Sequence, residues 1–232
     1  MRGVRVMVDA ALAGLLVTVM ATALVQEAPH EYLGVALFAA VVAHIALNRR
    51  WFKTLIHGRY NAVRILRLVA IAGLVACAVG QMASALVLSK FAFGFLPALP
   101  GAALARRVHM LCSYWGFVLA FAHVGLQFKG LFRLMRTRGA SNAPGALRPV
   151  IWAGRFLFVA IACFGAYSFV KLDFGTYLLG QVQFALADYD AVGALSLMRY
   201  ASIAVLISGL FHYLRTTLEA LGKSWRRTSR AR

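Results

Sequence analysis

Polar side chains are what this chain has least of. Charged residues make up 14% of it and hydrophobic residues 62%, with a mean hydropathy of +0.75. A soluble domain of this size rarely folds with so little polar surface. Acids are scarcer still, 7 against 25 lysines and arginines, which leaves a net charge of +18. In a soluble chain that balance would point to nucleic acid. Here the basic residues fall between and after long apolar runs, so membrane topology accounts for them and nucleic acid is set aside as a partner. Cysteine is equally sparse: Cys77, Cys112 and Cys163 lie in separate apolar segments, with no Cys-x-x-Cys and no Cys-x-x-Cys-His. That excludes covalent c-type haem attachment and the usual zinc spacings, and leaves the thiols as small buried hydrophobes. No Gly-x-Gly-x-x-Gly follows a strand, so the chain has no nicotinamide or FAD fingerprint and is no self-sufficient reductase.

What is present is a series of apolar segments of about the 20 residues that a spanning helix needs. They cover residues 6–25, 30–47, 63–88, 103–128, 150–170 and 194–214. The expected fold is an all-α integral membrane protein of about six transmembrane helices. The first segment, behind Arg2 and Arg5, reads as an uncleaved helix, because its apolar run is long for a signal peptide. Asn48-Arg49-Arg50-Trp51-Phe52-Lys53 forms a basic, aromatic interfacial anchor. Two prolines and two glycines in Phe91-Ala-Phe-Gly-Phe-Leu-Pro-Ala-Leu-Pro-Gly101 break the helical pattern and suggest an interfacial loop over the bundle. Residues 171–191 hold Asp173, Asp188 and Asp190 and leave room for an interfacial helix. The basic end from Gly222 onward reads as a mobile tail.

With the N-terminus cytoplasmic and six crossings, the inner side collects every lysine and arginine except Lys90, Arg106, Arg107, Lys171 and Arg199. Glu27, Glu31, Asp173, Asp188 and Asp190 fall outside. This asymmetry supports both the helix count and an inner-membrane orientation with both termini in the cytoplasm. It also makes the second and fourth helices parallel.

Those two helices carry a repeated spacing. His30 and His44 are fourteen residues apart, and so are His109 and His123. Fourteen residues are almost four turns, so each pair lies within about 40° of one helix face and is separated by roughly 21 Å along the axis. On parallel, facing helices the four side chains become two pairs at two depths, His30 with His109 and His44 with His123. An imidazole inside a membrane is a functional candidate by default. Haem iron takes axial imidazoles, and its apolar macrocycle fits between packed helices. Two b-type haems held by the two pairs would give electron-transfer centres with no open iron position. The members of a pair on one helix are too far apart to share a zinc or copper ion.

Supporting positions are less specific. Leu37 and Gly116 lie midway between the histidines, and Gly34 and Ser113 one turn after the first of each pair, where a small side chain would admit a porphyrin; ordinary small-residue helix packing explains these equally well. Arg106 and Arg107 stand just before His109, placed for the propionates of an outer haem or for plain interfacial snorkelling. His57 reads as solvated, His212 as structural with a third-ligand or quinone role as its rival, and Tyr114, Trp115 and Phe128 as packing residues.

Several stretches together resemble the flavinylation-associated cytochrome family: His30-Glu-Tyr-Leu-Gly, His44-Ile-Ala-Leu-Asn-Arg-Arg-Trp-Phe, Phe93-Gly-Phe-Leu-Pro, and His109 through Ser113-Tyr-Trp-Gly-Phe to His123-Val-Gly-Leu. The likeness covers about residues 6–129. It implies a membrane b-type cytochrome in extracytosolic electron transfer, often beside proteins carrying covalently attached FMN, with His30, His44, His109 and His123 as haem ligands. Relatives often continue the last motif with another histidine, where this chain has Gln127-Phe128; both pairs are untouched by that departure. The expected organisation is a four-helix di-haem bundle (1–130), a cytoplasmic loop (131–149), and two further helices with a basic tail (150–232). The expected function is an electron-transfer subunit of an oxidoreductase system. It would work between a membrane donor, with quinol a candidate, and an outer acceptor, with a flavoprotein a candidate. The alternatives are a haem-free proton-coupled transporter and a structural anchor of a redox complex. The transporter calls for acids near the histidines inside the membrane, where Glu27 and Glu31 are the only nearby candidates and both sit at the edge.

Overall fold

The computed structural model describes residues 2–21, 25–53, 60–97, 99–127, 148–182 and 193–228. Regular structure there is helical: α1 (Arg2–Met20), α2 (Glu27–Leu47), α3 (Arg50–Lys53), α4 (Ala62–Leu88), α5 (Ala102–Gln127), α6 (Arg148–Lys171), α7 (Phe174–Leu178) and α8 (Gly193–Thr228). Six of them, α1, α2, α4, α5, α6 and α8, are long and apolar enough to cross a membrane. The protein is an all-helical, multi-pass membrane protein.

Local chemistry sets the helix starts. Asn61 caps α4 by accepting the Arg64 amide at 2.8 Å, which satisfies one of the orphan donors of a helix N-terminus. Pro29 and Pro149 fall in the first turns of α2 and α6, where a missing N–H costs nothing. Gly101, at φ 96°, makes the turn into α5. Two helices differ at their ends from the sequence reading. The first helix begins at Arg2 and ends at Met20, and the last runs on to Thr228. The expected mobile tail is therefore helical as far as Thr228. No proline interrupts the segment, and an Arg215–Glu219 ion pair of 2.8 Å one turn apart extends it past the apolar stretch. A short helix, α7, does follow residue 171, and its Phe174 and Tyr177 are buried in the core. His57, Phe128, Asp188, Asp190 and residues 131–147 lie outside the described residues.

The buried core sits where α5 meets α8, closed by α7 and the end of α1. Phe117, Phe121, Phe174, Tyr200, Ile203 and Met20 are among its members. α4 runs along α5, and α6 along α8. α2 is different: it lies on α1, touches α4 lightly, and has no buried residue. The helix that carries His30 and His44 is thus not packed into the protein core, while the helix that carries His109 and His123 is its centre.

Glycines let the central helices approach. A Cβ on Gly125 of α5 would collide with the Ser208 carbonyl oxygen of α8, and one on Gly165 of α6 with that of Ser202. Such backbone contact is a source of helix association where lipid removes the hydrophobic drive. Ser208 Oγ adds a bond to the Phe121 carbonyl at 3.1 Å. Gly125→Ala and Gly165→Ala should each cost roughly 1–3 kcal/mol through overpacking, read as a lowered unfolding midpoint by circular dichroism in detergent. Gly14→Ala, whose Cβ would meet nothing within 4 Å, should be neutral or slightly stabilising through helix propensity.

Candidate functional site

The histidines of α2 and α5 come together in two layers. His30 and His109 face each other with ring centroids 6.3 Å apart and planes at 57°. His44 and His123 form the second layer, close enough to interact electrostatically. Both layers follow chain order on both helices, so α2 and α5 run parallel. Among the described residues no three His, Cys, Asp or Glu side chains converge as a metal site; the histidines meet as pairs.

That separation has a chemical meaning. An imidazole nitrogen binds a first-row metal at about 2 Å and lies about 1 Å from its own ring centre. Two axial imidazoles on one iron therefore place their centroids roughly 6 Å apart. The light packing of α2 leaves the two backbones far enough apart for side chains to meet in this way. A Cβ on Gly34, one turn beyond His30, would meet no atom within 4 Å.

The ring nitrogens can be assigned from their partners. Ser84 gives its hydroxyl proton to the Gln81 carbonyl at 3.0 Å, so His109 Nδ1 donates to Ser84 Oγ at 3.2 Å. His109 Nε2 is then an acceptor, and the Gln81 side-chain amide donates to it at 3.1 Å and to Ser113 Oγ at 2.9 Å. Ser113 in turn donates to the His109 carbonyl at 2.7 Å. His44 Nδ1 donates to Asp9 Oδ1 at 2.7 Å. In each layer the other histidine keeps one bare nitrogen: His30 Nδ1 and His123 Nδ1 are buried without a hydrogen-bond partner among the described residues, while His30 also bonds to the backbone of Val19. Buried imidazoles left short of partners in an apolar site fit residues that hold a bound group. An iron at His109 would have to displace the Gln81 amide from Nε2.

Asp9 corrects the sequence reading, which held Glu27 and Glu31 to be the only acids near the histidines. α1 lies beside α2 and brings Asp9, in the middle of an apolar span, onto His44. A lone carboxylate in a spanning segment is costly and was a signal in its own right.

Glu31 has a different task. Its carboxylate accepts Ser89 Oγ at 2.6 Å and the backbone amides of Lys90, Phe91 and Ala92 at 2.9, 2.9 and 2.8 Å. The acid next to His30 thereby fastens α2 to the turn that follows α4, assisted by an exposed Lys90–Glu27 pair at 3.0 Å.

The other expected positions are scattered. A Cβ on Gly116 would lie 3.6 Å from Cys77 Cβ, so this glycine borders α4. Leu37 is half-buried, and Arg106 and Arg107 are exposed on the first turns of α5. His212 is buried on the far side of α5, against Gly125. Tyr114 stacks on Tyr177 at 4.3 Å, and Trp115 Nε1 donates to the Leu178 carbonyl at 2.9 Å, both packing roles. Two arginines were not singled out by sequence: Arg67 and Arg215 both donate to the Leu126 carbonyl, at 3.0 and 3.1 Å. They cap the negative end of α5 one turn beyond His123.

No protein-family model matches the chain, and neither a characterised protein nor a solved structure does.

Glu31→Ala should lower the thermal unfolding midpoint in detergent by several degrees. The lost acceptor is worth roughly 1–2 kcal/mol, because water reaches some of the freed donors. Glu31→Gln, which keeps a neutral acceptor, should fall between the variant and the wild type.

Proposed function

We propose that the chain is a transmembrane b-type cytochrome, the electron-transfer subunit of an oxidoreductase system. The observation that carries this reading is the His30–His109 approach at 6.3 Å between two helices that do not otherwise pack closely. The repeated fourteen-residue spacing supplies the second pair four turns away. Held between each pair, a haem supplies a one-electron centre whose iron has no open position.

The chain's own residues divide the work. His30 with His109, and His44 with His123, would hold the two haems by their imidazoles. Ser84 and Asp9 hold His109 and His44 by Nδ1, so Nε2 is the nitrogen each would present to a metal, at His109 once the Gln81 amide is displaced from it. Gly34 keeps the α2 backbone open beside the first layer. With basic residues on the cytoplasmic side, His30 and His109 form the outer layer and His44 and His123 the inner one. The donor is then a membrane reductant, with quinol the leading candidate. The acceptor is an outer-face protein, a flavinylated one by the family resemblance.

The Asp9–His44 contact of 2.7 Å favours a second reading, a haem-free proton relay of a coupled transporter, because it puts an acid and a base together inside a span. Haem content separates the two. Protein purified in detergent from haem-replete cells should show sharp b-type bands on dithionite reduction and about two haems per chain. A colourless preparation would sink the cytochrome reading. His123→Ala should retain one haem, and loss of both would count against independent layers.

A further inference from the structure

Among the described residues Asp9 is the acid set well inside an apolar span that touches one of the paired histidines. It stands in the α1 span, its carboxylate is half-exposed where the bilayer would lie, and His44 Nδ1 is 2.7 Å from Oδ1. Packing does not explain it, since a small apolar residue would fill the same helix face at lower cost. We propose that Asp9 is the positioning residue of the His44–His123 layer, orienting the His44 imidazole and lowering the reduction potential of the haem bound there. This rests on the cytochrome reading above.

Tautomer and charge carry this assignment. A histidine that ligates a metal through one nitrogen commonly donates its other N–H to a carboxylate or carbonyl, which fixes the ring and makes it a stronger donor. Here the Asp9 carboxylate is that acceptor, so His44 Nε2 is the nitrogen presented to iron. A negative charge bonded to the axial ligand favours the ferric state, which carries one more positive charge than the ferrous state, and so lowers the potential. The other layer is built differently. His109 Nδ1 donates to the neutral hydroxyl of Ser84, and Glu31, beside His30, spends its carboxylate on the Ser89–Ala92 turn. Arg67 reaches toward His123 from α4 and opposes Asp9 in the same layer. Its guanidinium donates to the Leu126 carbonyl at 3.0 Å. The two layers thus differ in kind, one with a carboxylate bonded to its ligand and one with a hydroxyl.

The test is a redox titration of purified protein, followed in the haem bands, for the wild type, Asp9→Asn, Asp9→Glu and His123→Ala. Wild type should give two waves, and the wave missing from His123→Ala marks the layer in question. Asp9→Asn should move that wave upward and leave the other in place. The same variant should lose that haem to an apo-haem acceptor about tenfold faster or more, the usual cost of removing such a partner. Asp9→Glu should stay nearer to wild type on both measures. Asp9→Asn with two haems and both waves unmoved would overturn the proposal. So would a shift of the wave that His123→Ala retains, or loss of both haems with a lowered unfolding midpoint, which would make Asp9 a general stabiliser. Haem-free wild-type protein would overturn the cytochrome reading itself, an outcome distinct from all of these.

Discussion

An imidazole nitrogen inside a membrane has no water to bond to, and leaving it bare costs a few kcal/mol. The structure around the four histidines is arranged by that constraint. Two of them find partners on neighbouring helices, His109 on Ser84 and His44 on Asp9. The other two, His30 and His123, keep a buried nitrogen without one among the described residues. The arrangement is crosswise: each layer has one histidine held through Nδ1 and one whose Nδ1 has no partner among the described residues. Such a pattern is costly as plain packing. It is sensible for residues that share a ligand, because the held ring sets the geometry and the other can adapt.

The rest of the fold serves this division. α5 is gripped on one side by α4, whose Gly73 and Gly80 admit the side chains of Leu119 and Cys112, and on the other by α8, through Gly125 against the Ser208 carbonyl and through the aromatic cluster around Phe117 and Phe174. It is the rigid wall. α2 is the looser wall, fastened through Glu31 to the turn after α4 and leaning on α1. The last two spanning helices, which have no part in the histidine pattern, therefore support the site by holding α5 in place.

Much of this was legible in the sequence. The six spans, the break at 91–101 and the pairing of His30 with His109 all followed from apolar length, proline and glycine, and a spacing of nearly four turns. Three things were not. Asp9 stands out as a lone acid in the first span, but its partner does not, because the contact with His44 is made across 35 residues. The caps by Arg67 and Arg215 on Leu126 depend on three helices converging, which no local pattern encodes. Gly116 was expected between the layers from its register on α5, yet it borders Cys77, since register gives an angle and not the identity of the neighbour facing it.

The central claim is that the four histidines form two sites of two imidazoles each. Low-temperature electron paramagnetic resonance of the oxidised, purified protein reports that ligation directly. The account predicts low-spin ferric signals that account for all the bound haem iron, in two populations of equal size, one of which disappears in His123→Ala. A dominant high-spin ferric signal, or protein without haem iron, would contradict it.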